Sequence, residues 1–320
     1  MKIEILLATY NGQQHVETLL ESILEQNHND ILITISDDCS KDDTKKIISK
    51  IKKKAPNMIN DITDSRNRGA ASNFSYLLKN ASCELIFFAD QDDIWEKDKV
   101  SLFVRRYRKL KKNFPPNTPF LLFSDMTLID ENDNQTYDSY YDFCMKRPQK
   151  KRLKDLLIQN NMLGCTQAFN LNLAKLASPI PKEAIMHDWW LALVATTFGK
   201  ISFIDKKTIR YRQHSQNAVG ARRPGIYNYK QMLPWSDKTS YIRHVNAIFS
   251  QAESLKNIYK YRLDMKSEEI INNFLSIRDK NLFNRAWIMS KNRFVRNNIH
   301  ETLEFLFRYM PNTPEKENEL

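Results

Sequence analysis

Residues 86–93 read Ile86-Phe87-Phe88-Ala89-Asp90-Gln91-Asp92-Asp93, an apolar run that ends in three carboxylates. A short apolar run with a polar flank predicts a buried strand. Two earlier runs, residues 3–8 and 31–35, have the same form, and a predicted helix follows each of them. Strands that alternate with helices predict an α/β fold, with a mostly parallel sheet and helices on both of its faces.

All three predicted strands end in polar residues, at positions 9–11, 37–38 and 90–93. Because ligands bind beyond the carboxyl ends of the strands in such sheets, these residues are expected to form one site. The carboxylates at 90–93 repel one another, and a hard divalent cation, Mg²⁺ or Mn²⁺, would hold them together. A solvated acidic turn is the alternative, but the position directly after a buried strand favours the metal.

Two further segments near this edge have open interpretations. Asp38 can accept a hydrogen bond from a nucleotide base or ribose, or it can cap the helix that is predicted to begin near Ser40. Residues 66–69 place two arginines before a helix start rich in small residues. That arrangement suits a diphosphate, although a plain surface loop explains it equally well.

Residues 187–190, His187-Asp188-Trp189-Trp190, precede an apolar helix. A carboxylate beside two indoles is partly desolvated, so its pKa is expected to rise toward the value that a general base needs. The alternative is an N-capping aspartate with core tryptophans. Residues 210–217 collect cations and amides, which favours either a lid over phosphates or a basic linker between domains.

The length and composition of the chain limit the classes of protein to which it can belong. A chain of 320 residues with 42% hydrophobic residues can form one large α/β domain and a smaller second one. The sequence has no apolar run of ~20 residues and no apolar signal-peptide core at its start, so a cytoplasmic location is expected. The four cysteines show no CxxC spacing, which favours free thiols over a zinc site. After about residue 217 the pattern becomes mainly helical, with aromatic and basic residues interleaved.

Together these motifs resemble glycosyltransferase family 2, whose members have the GT-A fold. The likeness rests on six segments in order: ATYNG at 8–12, DDCSKDDT at 37–44, NRG at 67–69, FFADQDDIW at 87–95, HDWW at 187–190 and YRQHSQN at 211–217. Within the family they look most like bacterial rhamnosyltransferases of surface polysaccharide synthesis. The resemblance implies a GT-A catalytic domain over residues 1–217 and a C-terminal helical region over 218–320 for acceptor, membrane or oligomer contacts.

The resemblance also implies roles for individual residues. Asp188 matches the catalytic base of an inverting single displacement, and Asp92 matches a ligand of Mn²⁺ or Mg²⁺, with His214 near the metal or the diphosphate. The nucleotide-sugar is expected to contact Ala8, Tyr10, Asn11, Asp38, Arg68, Asp90, Arg212 and His214. Two positions depart from the family pattern. Cys39 stands where Gly or Asn is usual, and His187 stands where Glu is common.

The expected activity is metal-dependent transfer of a sugar, rhamnose from dTDP-rhamnose, to a hydroxyl of a cell-surface polysaccharide precursor. A UDP-hexose or UDP-N-acetylhexosamine transferase of capsule or lipopolysaccharide synthesis is the alternative. A nucleotidyltransferase is disfavoured because residues 8–12 are too short and too polar for a Gly-rich phosphate loop. The net charge of +11 would suit a nucleic-acid-binding module, but carboxylates at three strand ends repel phosphate in the absence of a metal.

The acceptor is expected to be lipid-linked or an oligosaccharide, and no nucleic acid partner is expected. A location at the inner face of the cell membrane, by peripheral contact, and a homodimer are both compatible with residues 281–309. There an apolar helical face is predicted from Leu282, Phe283, Ala286, Trp287 and Met289, with positive charge from Arg285, Lys291, Arg293 and Arg296. Such a helix can lie on an anionic membrane, or it can pack on the catalytic domain or on a second subunit.

Overall fold

The computed structural model describes residues 1–214, 221 and 238–308. The chain divides into two compact units, Met1–Lys151 with Asn160–Arg223, and Arg152–Gln159 with Pro224–Leu320. The boundary expected between residues 217 and 218 lies outside the described residues, so it stays a prediction. Within the described ranges, none of the helices combines the length and apolar character needed to cross a bilayer.

The first half of the sheet follows the predicted alternation of strands and helices. Its four parallel strands are β1 Ile3–Thr9, β2 Ile31–Asp37, β3 Ile59–Asp61 and β4 Leu85–Asp90. The helices between them are α1 Val16–Leu24, α2 Thr44–Lys54 and α3 Ala70–Asn80. Neighbouring positions in β1, such as Ile5 and Leu6, are both fully buried. The sheet is therefore covered on both faces, which is why these strands are mainly apolar, and the buried polar pair Glu4 and Thr34 is satisfied by a hydrogen bond between its members.

The second half of the sheet is mixed. It contains β5 Ile94–Trp95, β6 Phe120–Ile129, β7 Gln135–Tyr137, β8 Gln167–Asn170 and β9 Lys200–Arg212. The nine strands follow the order β3-β2-β1-β4-β8-β6-β9-β5, with β7 paired to β6. Strand β8 is antiparallel to both β4 and β6, and β9 is parallel to β6. Six strands therefore run in one direction and three run against it, so the expected α/β sheet is confirmed with antiparallel strands inserted.

The remaining helices complete the two units. The first unit also contains α4 Lys99–Asn113, α5 Tyr140–Phe143, α7 Leu171–Ala177 and α8 His187–Phe198. The second unit contains α6 Leu153–Leu156, α9 Lys238–Ile258, α10 Met265–Leu275, α11 Leu282–Asn292 and α12 Ile299–Arg308. Its core is aromatic, with Phe249 stacked on Phe274 at 5.1 Å between ring centroids. The mainly helical C-terminal region is confirmed.

One local expectation differs from the structure. Helix α2 begins at Thr44, and the Ser40 hydroxyl donates to the Asp37 carboxylate instead of capping that helix. The difference arises because side chains near a strand end hydrogen-bond within loops, which local sequence spacing does not reveal. A 3-10 turn, Gly164–Thr166, precedes the short strand β8.

Candidate active site

One cavity of about 400 Å³ opens at the carboxyl ends of β1, β2 and β4. Six of the predicted site residues line it: Ala8, Tyr10, Asp38, Asp90, Asp92 and Asp188. The cavity wall is completed by residues from the start of α3, by Leu163-Gly164, and by Met186 and His187 before and at the start of α8. The structure therefore brings together most of the residues that the sequence singled out. Asn11, Arg68, Arg212 and His214 are not among the lining residues.

Asp188 lies in the first turn of α8 and is 7% exposed. One carboxylate oxygen accepts from the Trp189 amide at 2.7 Å, and the other accepts from the Asn160 side chain at 3.2 Å. Burial raises the pKa of this carboxyl to about 6 in spite of these hydrogen bonds. The group is thus held in one orientation, and its pKa lies in the range that suits a general base at neutral pH.

His187, beside Asp188, is a neutral wall of the cavity. Its ring stacks on Phe74 at 3.8 Å between centroids and meets Phe88 edge-on at 4.6 Å. Burial lowers its pKa to about 3, and neither ring nitrogen has a hydrogen-bond partner among the described residues. Gly164 makes room for it, because a Cβ at that position would lie 2.9 Å from Nε2 of His187. His187 therefore brings no second charge to Asp188.

Asp38 fixes the loop before α3. Its two carboxylate oxygens accept from the backbone amides of Arg68 at 2.6 Å and of Gly69 at 2.7 Å. The Asn67 side chain donates to the Asp38 carbonyl at 2.9 Å. Asp38 thus joins the end of β2 to the start of α3 at the edge of the cavity. Its predicted contact with a base stays a prediction.

The turn after β1 is bound to two neighbouring segments. Asn11 has a positive φ of 47°, and its side-chain oxygen accepts from the Lys41 amide. The Tyr10 amide donates to the Gln91 side chain at 2.8 Å. Gly12 suits this close approach, since a Cβ there would lie 2.3 Å from the Gln91 side-chain oxygen and would displace it. The Asn11 side chain binds backbone, so its expected donor contact stays a prediction.

The two predicted arginines bind protein groups in this structure. The Arg68 guanidinium makes two hydrogen bonds to Asp64 and lies 4.2 Å from the centre of the Tyr76 ring. Arg212 is 2% exposed, and its guanidinium donates to the Asp92 carbonyl at 2.9 Å. It also forms an ion pair with Asp133. Neither guanidinium lines the cavity, and their expected contacts with the donor remain predictions.

Asp92 and His214 form the set best suited to a divalent cation. Nε2 of His214 lies 2.7 Å from a carboxylate oxygen of Asp92, and each side chain is 15% exposed. A carboxylate oxygen and an imidazole nitrogen both suit Mn²⁺, and a partly exposed position leaves room for further oxygen ligands. Residues 215–217, which belong to the same motif, lie outside the described residues.

A second acidic group lies deeper. Ligand atoms of Asp90, Asp93 and Cys165 come within 4.8 Å of one another, and Asp93 and Cys165 are buried. Burial, and next the charge of Asp92, raises the pKa of Asp90 to about 7 and that of Asp93 well above its usual value. The fully buried Lys99 donates to the Cys165 carbonyl at 2.7 Å. Burial lowers the pKa of the Lys99 amine to about 7, against the opposing effect of the Asp90 and Asp93 charges. Because Asp93 and Cys165 are buried, this group leaves less room for further oxygen ligands of a metal than Asp92 and His214 do.

The comparisons with known proteins agree with this arrangement. The family model described as glycosyl transferase family 2 matches residues 4–119. The dTDP-rhamnosyl transferase RfbG of Shigella flexneri is 33% identical over 243 residues, which are 71% of this chain and 78% of RfbG. The chain belongs to glycosyltransferase family 2. It is a glycosyltransferase, and the family that its motifs resemble is confirmed.

Solved structures of glycosyltransferases share the fold of this family 2 chain. TarS from S. aureus superposes with a TM-score of 0.55 at 17% identity, over 87% of this chain and 43% of TarS. This chain therefore spans less than half of the TarS length. A mannosyltransferase from Pyrobaculum calidifontis, solved in complex with GDP-Man and Mn²⁺, gives a TM-score of 0.53 at 15% identity, over 90% and 73% of the two chains. The expected GT-A fold is confirmed.

Several cavity residues of this glycosyltransferase were not expected from the sequence. Asn73 is 1% exposed. Its side-chain oxygen accepts a hydrogen bond from the Ser36 hydroxyl, and its side-chain amide donates one to the Ser36 carbonyl. Phe74 and Gly164 shape the wall around His187. For Gly164 the only signal was a lone glycine among larger residues. For Asn73 and Phe74 the signal was their place just after the predicted helix start.

Proposed function

We propose that this chain is an inverting, metal-dependent glycosyltransferase that moves rhamnose from dTDP-rhamnose to a hydroxyl of a cell-surface polysaccharide precursor. The proposal rests mainly on one observation. Asp92 and Asp188 line one cavity, together with residues at the ends of β1 and β2. Asp92 can hold a metal ion that stabilises the leaving diphosphate, while Asp188 can accept the proton of the attacking hydroxyl. The relative RfbG, by its name a dTDP-rhamnosyl transferase, supports the choice of donor.

The donor would bind along the strand ends. Ala8, Tyr10 and Asp38 would face the nucleoside, because they lie at the ends of β1 and β2. Asp90 would approach the ribose or the donor sugar. The mannosyltransferase complex with GDP-Man and Mn²⁺ supports a nucleotide-sugar and a divalent ion in this fold, although at 15% identity it carries no argument on the sugar.

Asp188 would act as the general base. Its carboxylate takes the proton from the acceptor hydroxyl while the acceptor oxygen forms a bond to the anomeric carbon. The bond between that carbon and the terminal phosphate oxygen breaks at the same time, and the nucleoside diphosphate leaves. Attack from the face opposite the leaving group inverts the anomeric centre. The hydrogen bonds from Trp189 and Asn160 keep the carboxylate in place for this proton transfer.

Asp92 and His214 would hold Mn²⁺ or Mg²⁺. When bound, such an ion supplies positive charge that stabilises the leaving diphosphate. Arg212 would act as a positioning residue for this pair. Its guanidinium holds the Asp92 carbonyl, and its backbone amide donates to Asp93 at 3.2 Å. This role differs from the direct donor contact that the motif suggested.

The pKa of Asp188 gives the expected pH dependence. A general base works in its ionised form, so kcat/KM should fall about tenfold per pH unit below pH 6 and level off above it. The measurement is the rate of nucleoside diphosphate release between pH 4.5 and 8. A profile that is flat through pH 6 would contradict the assignment of Asp188 as the base.

The donor assignment predicts the outcome of a screen. With Mn²⁺ present, dTDP-rhamnose should be turned over faster than dTDP-glucose, UDP-glucose or UDP-N-acetylglucosamine. A pocket wall of Phe74, Met186 and a neutral His187 suits a sugar that carries a methyl group in place of a hydroxymethyl group. A clear preference for UDP-hexoses would instead support the alternative, a UDP-hexose or UDP-N-acetylhexosamine transferase of capsule or lipopolysaccharide synthesis.

A further inference from the structure

Two large aromatic side chains on α11 are exposed. Phe283 is 86% exposed and Trp287 is 62% exposed, and they lie one helical turn apart. The opposite side of the helix is buried, through Arg285, Ile288 and Met289. The packing of α11 in its own unit therefore does not use the two aromatic rings.

This arrangement corrects the face that was expected from the sequence. Met289 was predicted to share one apolar face with Leu282 and Phe283, but it is only 4% exposed while Phe283 is 86% exposed. Arg285 and Arg296 were assigned to the charged surface, but both are buried. The cause is that the core of this unit takes up the side of α11 that holds Arg285, whose Nε donates to the Ile277 carbonyl at 3.2 Å.

Positive charge borders the exposed aromatic rings. Nζ of Lys291 lies 4.8 Å from the centre of the Trp287 ring, so Phe283, Trp287 and Lys291 form one stripe at four-residue spacing. Lys280 and Arg293 are exposed at the two ends of the helix. Residues 281–300 contain no acidic residue at all. We define the α11 outer face as Phe283, Trp287 and Lys291.

The next helix carries a similar stripe. Ile299, Leu303 and Phe307 of α12 are spaced four residues apart and are 62%, 37% and 54% exposed. Their neighbour Phe305 is buried, so this helix too packs by another side. Two successive helices of the second unit thus expose apolar side chains that their own core does not need.

We infer that the α11 outer face docks on an anionic lipid surface. Tryptophan, phenylalanine and lysine on one side of a helix are the composition of helices that lie in the membrane interface. Trp is favoured there because its ring is apolar while its N–H stays near water. Each nearby lysine or arginine strengthens binding to an anionic surface about fivefold.

A second copy of the chain is the main competing occupant. In a symmetric dimer through this face, Lys291 and Arg293 of one copy would be brought close to the cations of the other, and residues 280–300 contain no carboxylate to offset them. The exposed Asp279 lies beside Lys280, before the start of the helix. A lipid surface that carries phosphate groups matches the charge of this face, and the rings fit between its headgroups. The charge pattern therefore favours the lipid.

The test uses the full chain and vesicles of phosphatidylcholine with or without phosphatidylglycerol. The wild-type protein should float with the anionic vesicles and not with the neutral ones, and added salt should weaken binding. Phe283→Ser and Trp287→Ser should each lower vesicle affinity at least ~10-fold, because each removes a large apolar contact. Lys291→Gln should lower it about fivefold. Melting temperature and nucleotide affinity should be unchanged, because all three side chains are exposed.

Tyr261→Ser is the matched control. Tyr261 is 93% exposed, and Nζ of Lys260 lies 5.5 Å from its ring centre, but it is outside α11. This variant should bind vesicles like the wild type. The inference is overturned if the wild type ignores anionic vesicles, if the α11 variants bind them unchanged, or if Tyr261→Ser loses as much affinity. It is also overturned if the wild type is a dimer and the α11 variants are monomers that still bind vesicles.

Discussion

Replacing Asp188 with asparagine should lower kcat at least ~10²-fold, which is the usual contribution of a general base. The amide keeps the shape of the side chain, and its one oxygen can still accept from the Trp189 amide, while its NH2 group no longer accepts from the Asn160 side chain. It cannot take a proton from the acceptor hydroxyl. The affinity for the nucleoside diphosphate should change little, because the proposal gives Asp188 no contact with the nucleoside or with the metal. Steady-state kinetics and calorimetric titration measure the two quantities separately.

Asp205→Asn provides the control for this experiment. Asp205 is an exposed aspartate on β9 and does not line the cavity, so its replacement should leave kcat unchanged. The acidic limb of the pH profile should also disappear in Asp188→Asn, because the group that titrates near pH 6 is gone. If nucleotide affinity collapses in Asp188→Asn while turnover per bound donor persists, Asp188 has a structural role and the assignment is wrong.

The second large effect is expected for Asp92→Asn, which should abolish transfer. The substitution removes a charged oxygen ligand and weakens the contact with His214, which lies 2.7 Å away. The fold should be kept, because Asp92 is at the cavity surface and its carbonyl still accepts from Arg212. The measurement is nucleoside diphosphate release in the presence of Mn²⁺, together with the melting temperature.

Asp93→Ala is a useful comparison for Asp92→Asn. Asp93 is 1% exposed and accepts from the Arg212 amide, so its truncation leaves that amide without its acceptor and should lower the melting temperature. Asp92→Asn should lose activity without that change in melting temperature. Full activity of Asp92→Asn, or of the wild type in excess EDTA, would contradict a role for Asp92 in metal binding.

Much of the sheet could be predicted from sequence because its strands are buried on both faces. Residues 3–8, 31–35 and 85–89 are mainly apolar runs, interrupted only by Glu4 and Thr34, and each became part of a parallel strand. The polar residues after them meet at one cavity because parallel strands end on the same side of a sheet. The insertion of β8 between β4 and β6 was not predictable in this way, since pairing between distant segments leaves no local pattern.

The parts of the site that sequence did not reveal depend on contacts between distant segments. The Arg212 guanidinium binds Asp133 and the Asp92 carbonyl, which lie about 80 and 120 residues earlier in the chain. The neighbouring sequence therefore does not show that this side chain is buried. His187 is enclosed by Phe74 and Phe88, which are about 100 residues away in the chain, so its apolar surroundings also have no local signal. Likewise Met289 faces inward because the core of the second unit, not helical spacing alone, decides which side of α11 is buried.

The central claim is that one cavity holds the nucleotide-sugar between Asp92 and Asp188. A crystal structure of Asp188→Asn with Mn²⁺ and dTDP-rhamnose tests it most directly, because this variant should bind the donor without consuming it. The account predicts the thymine near Ala8 and Asp38, the metal on Asp92 and His214, and the anomeric carbon facing residue 188. A nucleotide bound elsewhere on the chain, or a donor sugar that points away from residue 188, would contradict the account.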